Sequence, residues 1–220
     1  MKKKIDLNQK ILKSNEEYAA RNREFFETND KICLNMISSP GSGKTTILCR
    51  TISELSDRIS IGVIEGDVES DYDAQRIKQT GGEVFQIETK GACHLSAAQV
   101  ARALSNLPCE KLDAFVIENV GNLVCPSAFE LGETAKIAVV SVAEGDDKPA
   151  KYPAIFAKSK AMIINKTDLL EAEGLSDFDI ERVKKDARKL NKKIKIFEVS
   201  ARTGQGMQNW YDWLCEQVKK

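Results

Sequence analysis

A glycine-rich segment ending in Gly43-Lys44-Thr45 follows an apolar run and leads into a stretch with helical spacing. This order of strand, glycine-rich turn and helix is what a phosphate-binding loop requires. Backbone N–H groups of such a turn point at the β-phosphate of a nucleotide, and the dipole of the next helix favours the anion. Lys44 can reach the β- and γ-phosphates, and the Thr45 hydroxyl can ligate Mg²⁺. The residues predicted to bind the phosphates are Gly41, Ser42, Gly43, Lys44, Thr45 and Thr46.

A second motif, Asn165-Lys166-Thr167-Asp168, follows another apolar run and has the form that selects guanine in GTP-binding proteins. The Asp168 carboxylate can accept hydrogen bonds from the N1–H and 2-amino groups of guanine, whereas adenine would leave it unpaired. Lys166 can lay its aliphatic stem over the base. Further along, Ser200 and Ala201 begin a loop that resembles one whose backbone N–H contacts the guanine carbonyl. Together with the phosphate loop, these motifs predict a site for GTP and GDP.

Acidic side chains follow two further predicted strands. Asp67 ends the second strand and Asp73 lies in the next helical stretch, and both carboxylates suit Mg²⁺ beside a triphosphate, although Asp73 could simply cap a helix.

Glu118 stands where the strand-to-switch segment usually has aspartate, and Asn122 stands where many GTPases have a water-positioning glutamine. We expect Lys44, Asp73 and Glu118 to act in catalysis. Intrinsic hydrolysis should be slow, because the shorter amide orients water less well.

The only histidine of the chain, His94, follows Cys93, and Cys125 lies just beyond the switch segment. Thiolate and imidazole ligands together suit Zn²⁺ or Ni²⁺ rather than Mg²⁺. The alternative is that both cysteines are small core residues and the histidine is a hydrogen-bonded core side chain. Since one chain offers only these three ligands here, a two-fold dimer could complete the metal shell. The position of Cys125 after the switch segment could couple nucleotide state to metal binding and dimer formation.

Apolar runs alternate with helical patterns from residue 31 onward, and these elements must position the side chains above. The expected strands are 32–38, 59–65, 83–87, 114–119, 137–142, 161–165 and 194–199. Helical patterns follow Gly43, Asp71, Ser96, Tyr152, Asp177 and Gln205. The alternation predicts an α/β fold of the P-loop NTPase type: a single doubly wound, mainly parallel sheet with helices on both faces. Residues 1–30 are expected to form an N-terminal amphipathic helix packed on a GTPase domain of residues 31–220.

Composition narrows the remaining classes of function. The 220 residues carry 33 basic and 33 acidic side chains, so no electrostatic footprint for nucleic acid or an anionic membrane is present. The N-terminus lacks the apolar run of a signal peptide, and no apolar stretch approaches the length of a membrane span. The six cysteines are scattered, with no Cys-x-x-Cys pair. Reduced thiols and a cytoplasmic location are therefore expected.

Several motifs together resemble those of HypB, the family of GTPases that incorporate nickel into hydrogenase. They comprise the phosphate loop, Gly66-Asp67, 73–76, 93–95, 118–126, 144–147 and 165–168. The resemblance extends from about residue 7 to the C-terminus. It implies a SIMIBI-class GTPase that forms a homodimer with GTP and binds Ni²⁺ or Zn²⁺ through Cys93, His94 and Cys125. It also implies delivery of nickel to the large subunit of [NiFe]-hydrogenase, with a HypA-type metallochaperone as partner.

The chain departs from part of this family's pattern. Some members have an N-terminal Cys-x-x-Cys-Gly-Cys site or a histidine-rich nickel store, but residues 1–30 contain neither Cys nor His. Any nickel function is therefore expected to use residues 93, 94 and 125. Two alternatives stay open: a urease GTPase of the UreG type, whose Cys-Pro-His motif is absent here, and a small P-loop kinase, which would not need a guanine-selecting motif.

Overall fold

Seven strands form one parallel sheet in the computed structural model, which describes residues 7–67, 71–171 and 177–219. In chain order the strands are β1 (Ile32–Ser38), β2 (Ile61–Asp67), β3 (Glu83–Glu88), β4 (Ala114–Glu118), β5 (Ala135–Ser141), β6 (Ser159–Asn165) and β7 (Lys195–Glu198). Their spatial order is β3-β2-β4-β1-β5-β6-β7, and all six neighbouring pairs are parallel. The predicted α/β fold with a single doubly wound sheet is confirmed.

Helices cover this sheet on both faces. They are α1 (Leu7–Thr28), α2 (Lys44–Leu55), α3 (Tyr72–Gln79), α4 (Ala97–Leu104), α5 (Cys125–Ala128), α6 (Lys148–Lys151), α7 (Pro153–Lys158), α8 (Ile180–Leu190) and α9 (Met207–Val218). Strand β1 shows the two faces directly. Leu34 and Met36 belong to the apolar cluster that includes α2 and α9, whereas Cys33 belongs to the cluster that includes Phe26 of α1 and Val100 of α4. Burial on both faces explains why the strands are continuous apolar runs.

The strands occupy the predicted places, with shifts at their ends. Strand β2 starts at Ile61 rather than at residue 59, because the Ile59 N–H still donates to the Leu55 carbonyl at the end of α2. Helices α5 and α6 have no counterpart in the sequence-based expectation. Each is a single turn, which is too short to give a helical period. Among the described helices, none combines the length and the apolar composition needed to span a bilayer.

The N-terminal helix lies against the sheet domain. Phe26 is buried, and its ring packs against Phe115 of β4 with 5.4 Å between centroids. Ala19 is also buried, whereas Leu12 and Tyr18 remain exposed. Residues 1–6 of the predicted helix lie outside the described chain, as do the side chains of residues 7–11.

Candidate nucleotide and metal site

The predicted phosphate-binding residues meet at the carboxyl ends of the central strands. Strand β1 lies between β4 and β5, at the point where the strand order reverses. Ligands of doubly wound sheets bind at the carboxyl ends of the strands beside such a topological switch point. A cavity of about 470 Å³ opens there. Its lining includes Gly41, Gly43, Lys44, Thr45, Thr46, Asp73 and Glu118 from the sequence-based set, and also Glu65, Arg76 and Asn119.

The glycine-rich loop has the backbone that a phosphate cradle needs. Gly41 and Gly43 have φ angles of 75° and 92°, in the left-handed region that glycine adopts without strain. Gly43 is the N-cap of α2, so the free N–H groups of the first helical turn face the cavity. The Lys44 ammonium donates to the Ser38 hydroxyl at 2.7 Å, and Ser42 donates to the same hydroxyl at 2.6 Å. Ser38, which stands where the usual motif has glycine, thus anchors the loop from inside.

Buried charges surround this cradle. Burial lowers the pKa of Lys44, while Glu118 and other nearby carboxylates oppose the effect. Burial also raises the pKa of Glu118 to about 7, against the influence of Lys44 and of a hydrogen bond from Thr45. The Thr45 hydroxyl donates to Glu118 Oε1 at 2.8 Å, and Glu118 Oε2 is buried without a hydrogen-bond partner among the described residues. The cavity therefore contains a buried acceptor oxygen that no described protein group satisfies, as expected where a bound ligand or its metal ion would supply the partner.

The predicted Mg²⁺ ligands are only partly described. Thr45 and Asp73 line the cavity, and oxygen donors of this kind fit Mg²⁺. Asp73 is paired with Arg76 at 3.1 Å, and Arg76 donates to the Thr46 hydroxyl at 3.0 Å. Asp67 ends β2, but its side chain lies outside the described part of the chain.

A second cavity, of about 350 Å³, lies beside the phosphate loop. It is lined by Gly43, Thr46, Asn165, Lys166, Asp168, Leu169, Ala201 and Arg202. Asp168 Oδ1 is buried and has no hydrogen-bond partner among the described residues. An unpaired buried carboxylate oxygen is costly unless a ligand donates to it, and guanine carries the required donors. The geometry of this cavity therefore fits the guanine interpretation.

The other base-site residues brace the loops. Asn165 donates from Nδ2 to the Ser42 carbonyl at 2.9 Å, and its Oδ1 accepts from the Ala201 N–H at 3.1 Å. Lys166 donates to the Gly41 carbonyl at 2.7 Å. The sequence suggested a loop N–H free for the guanine carbonyl. In the structure the Ala201 N–H is engaged by Asn165, and Ser200 Oγ accepts from the backbone of its own loop.

The three predicted nickel or zinc ligands come together. Ligand atoms of Cys93, His94 and Cys125 all lie within 4.8 Å of one another, and Cys93 Sγ is 3.4 Å from His94 Nδ1. Burial lowers the pKa of His94, which favours the neutral imidazole that binds metals. A hydrogen bond with Cys125 raises the pKa of Cys93. Cys93 is exposed and the other two are half-buried, an arrangement unlike that of core residues.

One short segment joins the nucleotide cavity to this cluster. Asn119 lines the cavity, and its Oδ1 accepts hydrogen bonds from the Leu95 N–H at 3.3 Å and the Val120 N–H at 3.0 Å. Asn122 accepts from the Val124 N–H at 2.8 Å and donates to the Cys93 carbonyl at 3.4 Å. Asn119 lies within the 118–126 motif, but its role was not predicted, because an asparagine at a strand end carries no distinctive spacing. The loop that carries Cys93 and His94 is therefore hydrogen-bonded to Asn119, directly after the end of β4.

Comparisons with known proteins agree with this fold and with a nucleotide-binding domain. Residues 33–198 match the nucleotide-binding domain of the CobW/HypB/UreG family. The hydrogenase maturation factor HypB of Rhizobium leguminosarum bv. viciae is 50% identical over 210 residues, which cover 96% of this chain and 69% of that protein. The crystal structure of HypB from Archaeoglobus fulgidus superposes with a TM-score of 0.86 at 38% identity, covering 94% of this chain and 100% of that one. The crystal structure of HypB from Helicobacter pylori in complex with nickel gives 0.87 at 38% identity, with coverage of 94% and 95%.

Proposed function

Because the chain belongs to the HypB family of hydrogenase maturation factors, we propose that it hydrolyses GTP to control the delivery of nickel to the large subunit of [NiFe]-hydrogenase. One observation carries this proposal. A cluster of two cysteines and one histidine lies on loops that are hydrogen-bonded to the rim of the nucleotide cavity. Nickel is the metal that the protein carries, and the bound nucleotide, GTP or GDP, determines whether nickel is bound or released.

Each part of the nucleotide site has a distinct task in this account. The N–H groups around Gly43 and the Lys44 ammonium bind the phosphates, and Asp168 selects guanine. Thr45, with Asp67 and Asp73, would hold Mg²⁺, which neutralises charge on the phosphates when bound. Asn165, Lys166, Ser200 and Ala201 fix the base pocket.

Hydrolysis by the protein alone is expected to be slow. Lys44, Asp73 and Glu118 line the cavity proposed for the γ-phosphate. Burial raises the pKa of Glu118 to about 7, so part of this carboxyl is protonated near neutral pH and cannot accept a proton from water. Asn122 is occupied by hydrogen bonds to Val124 and Cys93. A slow intrinsic rate suits a timing device, whose turnover a partner can raise. Phosphate release measured on the purified protein tests this, and rapid turnover without a partner would contradict it.

The metal site is proposed to be completed by a second copy of the chain. Cys93, His94 and Cys125 supply three soft or borderline ligands per protomer, and two-fold symmetry would double them beside the nucleotide. A homodimer that forms with GTP would thereby hold Ni²⁺, or Zn²⁺ in its place, until hydrolysis separates the protomers.

The setting of this function is proposed on the same basis. The GTPase domain comprises residues 31–220, with residues 1–30 as a helix on its surface. The protein acts in the cytoplasm with a HypA-type metallochaperone and the hydrogenase large subunit as partners. Neither nucleic acid nor a membrane is part of this account, which agrees with the balanced charge.

A transfer experiment tests the proposed function. The protein is loaded with radioactive nickel and mixed with the metal-free large subunit in the presence of GTP, GDP or a non-hydrolysable analogue. We expect transfer with GTP that exceeds transfer with the analogue, and none from Cys125→Ala. Cys109→Ser is the matched control, because Cys109 lies outside the cluster and its thiol donates to the Leu104 carbonyl. Equal transfer in all nucleotide states would overturn the proposal.

A further inference from the structure

Helix α1 contacts both chain segments that carry the metal ligands. The first segment runs from Cys93 into the start of α4, and the second from Cys125 through α5 to the start of β5. The contacts come from two asparagines of α1, Asn15 and Asn22. These lie about two helical turns apart, so both project from the same side of the helix.

Asn15 uses both ends of its amide for these segments. Its Nδ2 donates to the Glu130 carbonyl at 2.7 Å, and its Oδ1 accepts from the Ala97 N–H at 2.8 Å. One side chain thus bridges the backbone beyond Cys125 and the backbone beyond His94. The side chain is half-buried, so these hydrogen bonds compete only partly with water.

Asn22 makes a second bridge between the same segments. Its Nδ2 group donates to the Ala97 carbonyl at 2.9 Å and to the Leu131 carbonyl at 2.8 Å. Asn22 is 3% exposed, so water cannot replace these partners. Ala97 is therefore held at its N–H by Asn15 and at its carbonyl by Asn22.

The backbone of α1 approaches the second segment unusually closely. A Cβ atom at Gly132 would lie 2.5 Å from Asn22 Cβ and 2.6 Å from the Ala19 carbonyl oxygen. Gly132 also has a φ angle of 90°. The absence of a side chain at Gly132 thus permits the contact through which Asn22 reaches Leu131.

On the side nearer the ligands, the two segments meet through a ring stack. The His94 imidazole stacks on Phe129 with 3.8 Å between centroids. Three kinds of contact therefore connect the two segments: the predicted metal ligands, the His94–Phe129 stack and the hydrogen bonds of the two asparagines. Of these three, only the asparagine hydrogen bonds involve no predicted metal ligand.

We propose that Asn15 and Asn22 are positioning residues that fix the separation of the two ligand-bearing segments and so preorganise Cys93, His94 and Cys125 for nickel. The inference rests on the proposed metal site and adds α1 to it. A metal site needs its ligands at fixed distances, and groups behind the ligands commonly change affinity by about 10- to 100-fold when removed. Helix α1 would then determine Ni²⁺ affinity by positioning the ligands, without binding the metal itself.

The test compares Asn15→Ala, Asn22→Ala and the matched control Asn29→Ala. Asn29 follows the same helix, is exposed, and its side chain donates to the Phe25 carbonyl rather than to either ligand-bearing segment. Ni²⁺ affinity is measured by chelator competition, together with the thiolate-to-nickel absorption band and GDP affinity. We expect about 10-fold weaker Ni²⁺ binding and an altered absorption band in Asn15→Ala and Asn22→Ala, with unchanged GDP affinity. Asn29→Ala should bind Ni²⁺ as the wild type does.

Thermal stability, measured beside Ni²⁺ affinity, distinguishes a positioning role from a purely structural one. The Cys125→Ala variant distinguishes failure of this inference from failure of the proposed function. A purely structural role would lower the thermal midpoint of the variants but leave the Ni²⁺ affinity of the folded protein unchanged, and that result would overturn the inference. Asn15→Ala covers the case in which Asn22→Ala fails to fold. Cys125→Ala, measured alongside, tests the metal site itself: unchanged Ni²⁺ binding there would refute the proposed function, whatever the asparagine variants do.

Discussion

The hydroxyl of Thr45 donates a hydrogen bond to Glu118 across 2.8 Å and so joins the first turn of α2 to the last residue of β4. Both side chains line the nucleotide cavity, and Glu118 is followed by the segment that leads to Cys125. Two hydrogen bonds therefore connect the phosphate loop to the predicted metal ligands: Thr45 donates to Glu118, and the next residue, Asn119, accepts from the Leu95 N–H directly after His94.

Glu118 should make the stability of the nucleotide-free protein pH-dependent. Burial raises its pKa to about 7, above the ordinary glutamate value, so the folded state binds this proton more tightly than the unfolded chain does. The free energy of unfolding contributed by this group therefore falls as pH rises from about 4 towards 7. Relative to Glu118→Gln, the wild type should lose about 2 kcal/mol between about pH 5 and pH 7.

Urea denaturation at several pH values measures this difference. Glu110→Gln serves as the control, because Glu110 is exposed and remote from the cavity. Parallel pH profiles for the wild type and Glu118→Gln would show that Glu118 ionises in the folded protein as it does in water.

Asp168 should determine the choice of base. Replacing it with asparagine turns an acceptor-only group into one that can donate, which disfavours the N1–H and 2-amino groups of guanine and suits the additional carbonyl of xanthine. Asp168→Asn should weaken GDP binding by about 100-fold and improve the binding of xanthosine diphosphate. Fluorescent-nucleotide competition measures both. Asp179→Asn, at the N-cap of α8, is the control, and equal GDP affinity in the two variants would remove Asp168 from the base site.

A comparison of Gly43→Ala with Gly81→Ala distinguishes the effect of backbone strain from the effect of a steric clash in the site. Both glycines have left-handed φ angles, 92° and 82°, so alanine strains each backbone to a similar extent. A Cβ at Gly43 would lie 2.5 Å from Asn165 Nδ2, whereas a Cβ at Gly81 meets nothing within 4 Å. Gly43→Ala should weaken GDP binding by about 10-fold or more, while Gly81→Ala should lower only stability, by about 1 kcal/mol. Calorimetric titration with GDP distinguishes them, and equal GDP affinity would contradict the bracing role of Asn165.

A buried ion pair lies at the start of strand β5. Lys136 lies 2.5 Å from Glu133, both are buried, and Asn35 also donates to Glu133. Burial alone would raise the pKa of Glu133, but the charge and hydrogen bond of Lys136 hold this pKa below its ordinary value. The stability from this pair is therefore present above the ordinary glutamate pKa and is lost as pH falls through the lower folded-state value.

Lys136→Met should cost about 3–5 kcal/mol near neutral pH, because it leaves a buried carboxylate without its partner. The loss should shrink as pH falls, since protonation then relieves the unpaired charge. Adding Glu133→Leu should recover only part of the stability, because it removes the buried charge but leaves the Asn35 amide and the Leu131 N–H without their acceptor. Urea unfolding at about pH 5 and pH 7 provides the measurement, and a pH-independent loss would show that the lysine contributes packing alone.

The fold and most of the site were predictable because both follow from local patterns. Continuous apolar runs marked the strands, and the side chains at their carboxyl ends, such as Lys44 and Asp168, had to meet at one edge of a parallel sheet. The hydrogen bonds of Asn119, Asn15 and Asn22 were not predictable, because they join segments far apart in sequence and have no periodic signature. The same reason explains why the sequence did not assign the Ala201 N–H to Asn165.

In the proposed function, GTP gates nickel binding by Cys93, His94 and Cys125. The most direct test is a Ni²⁺ titration with molar mass by light scattering, run with GDP and with a non-hydrolysable GTP analogue on wild type and Cys125→Ala. We expect tighter Ni²⁺ binding and a dimer with the analogue, and loss of that nickel binding in Cys125→Ala. Nickel binding that is the same in both nucleotides and in both proteins would contradict it, and would leave a guanine-nucleotide protein whose cysteines are structural.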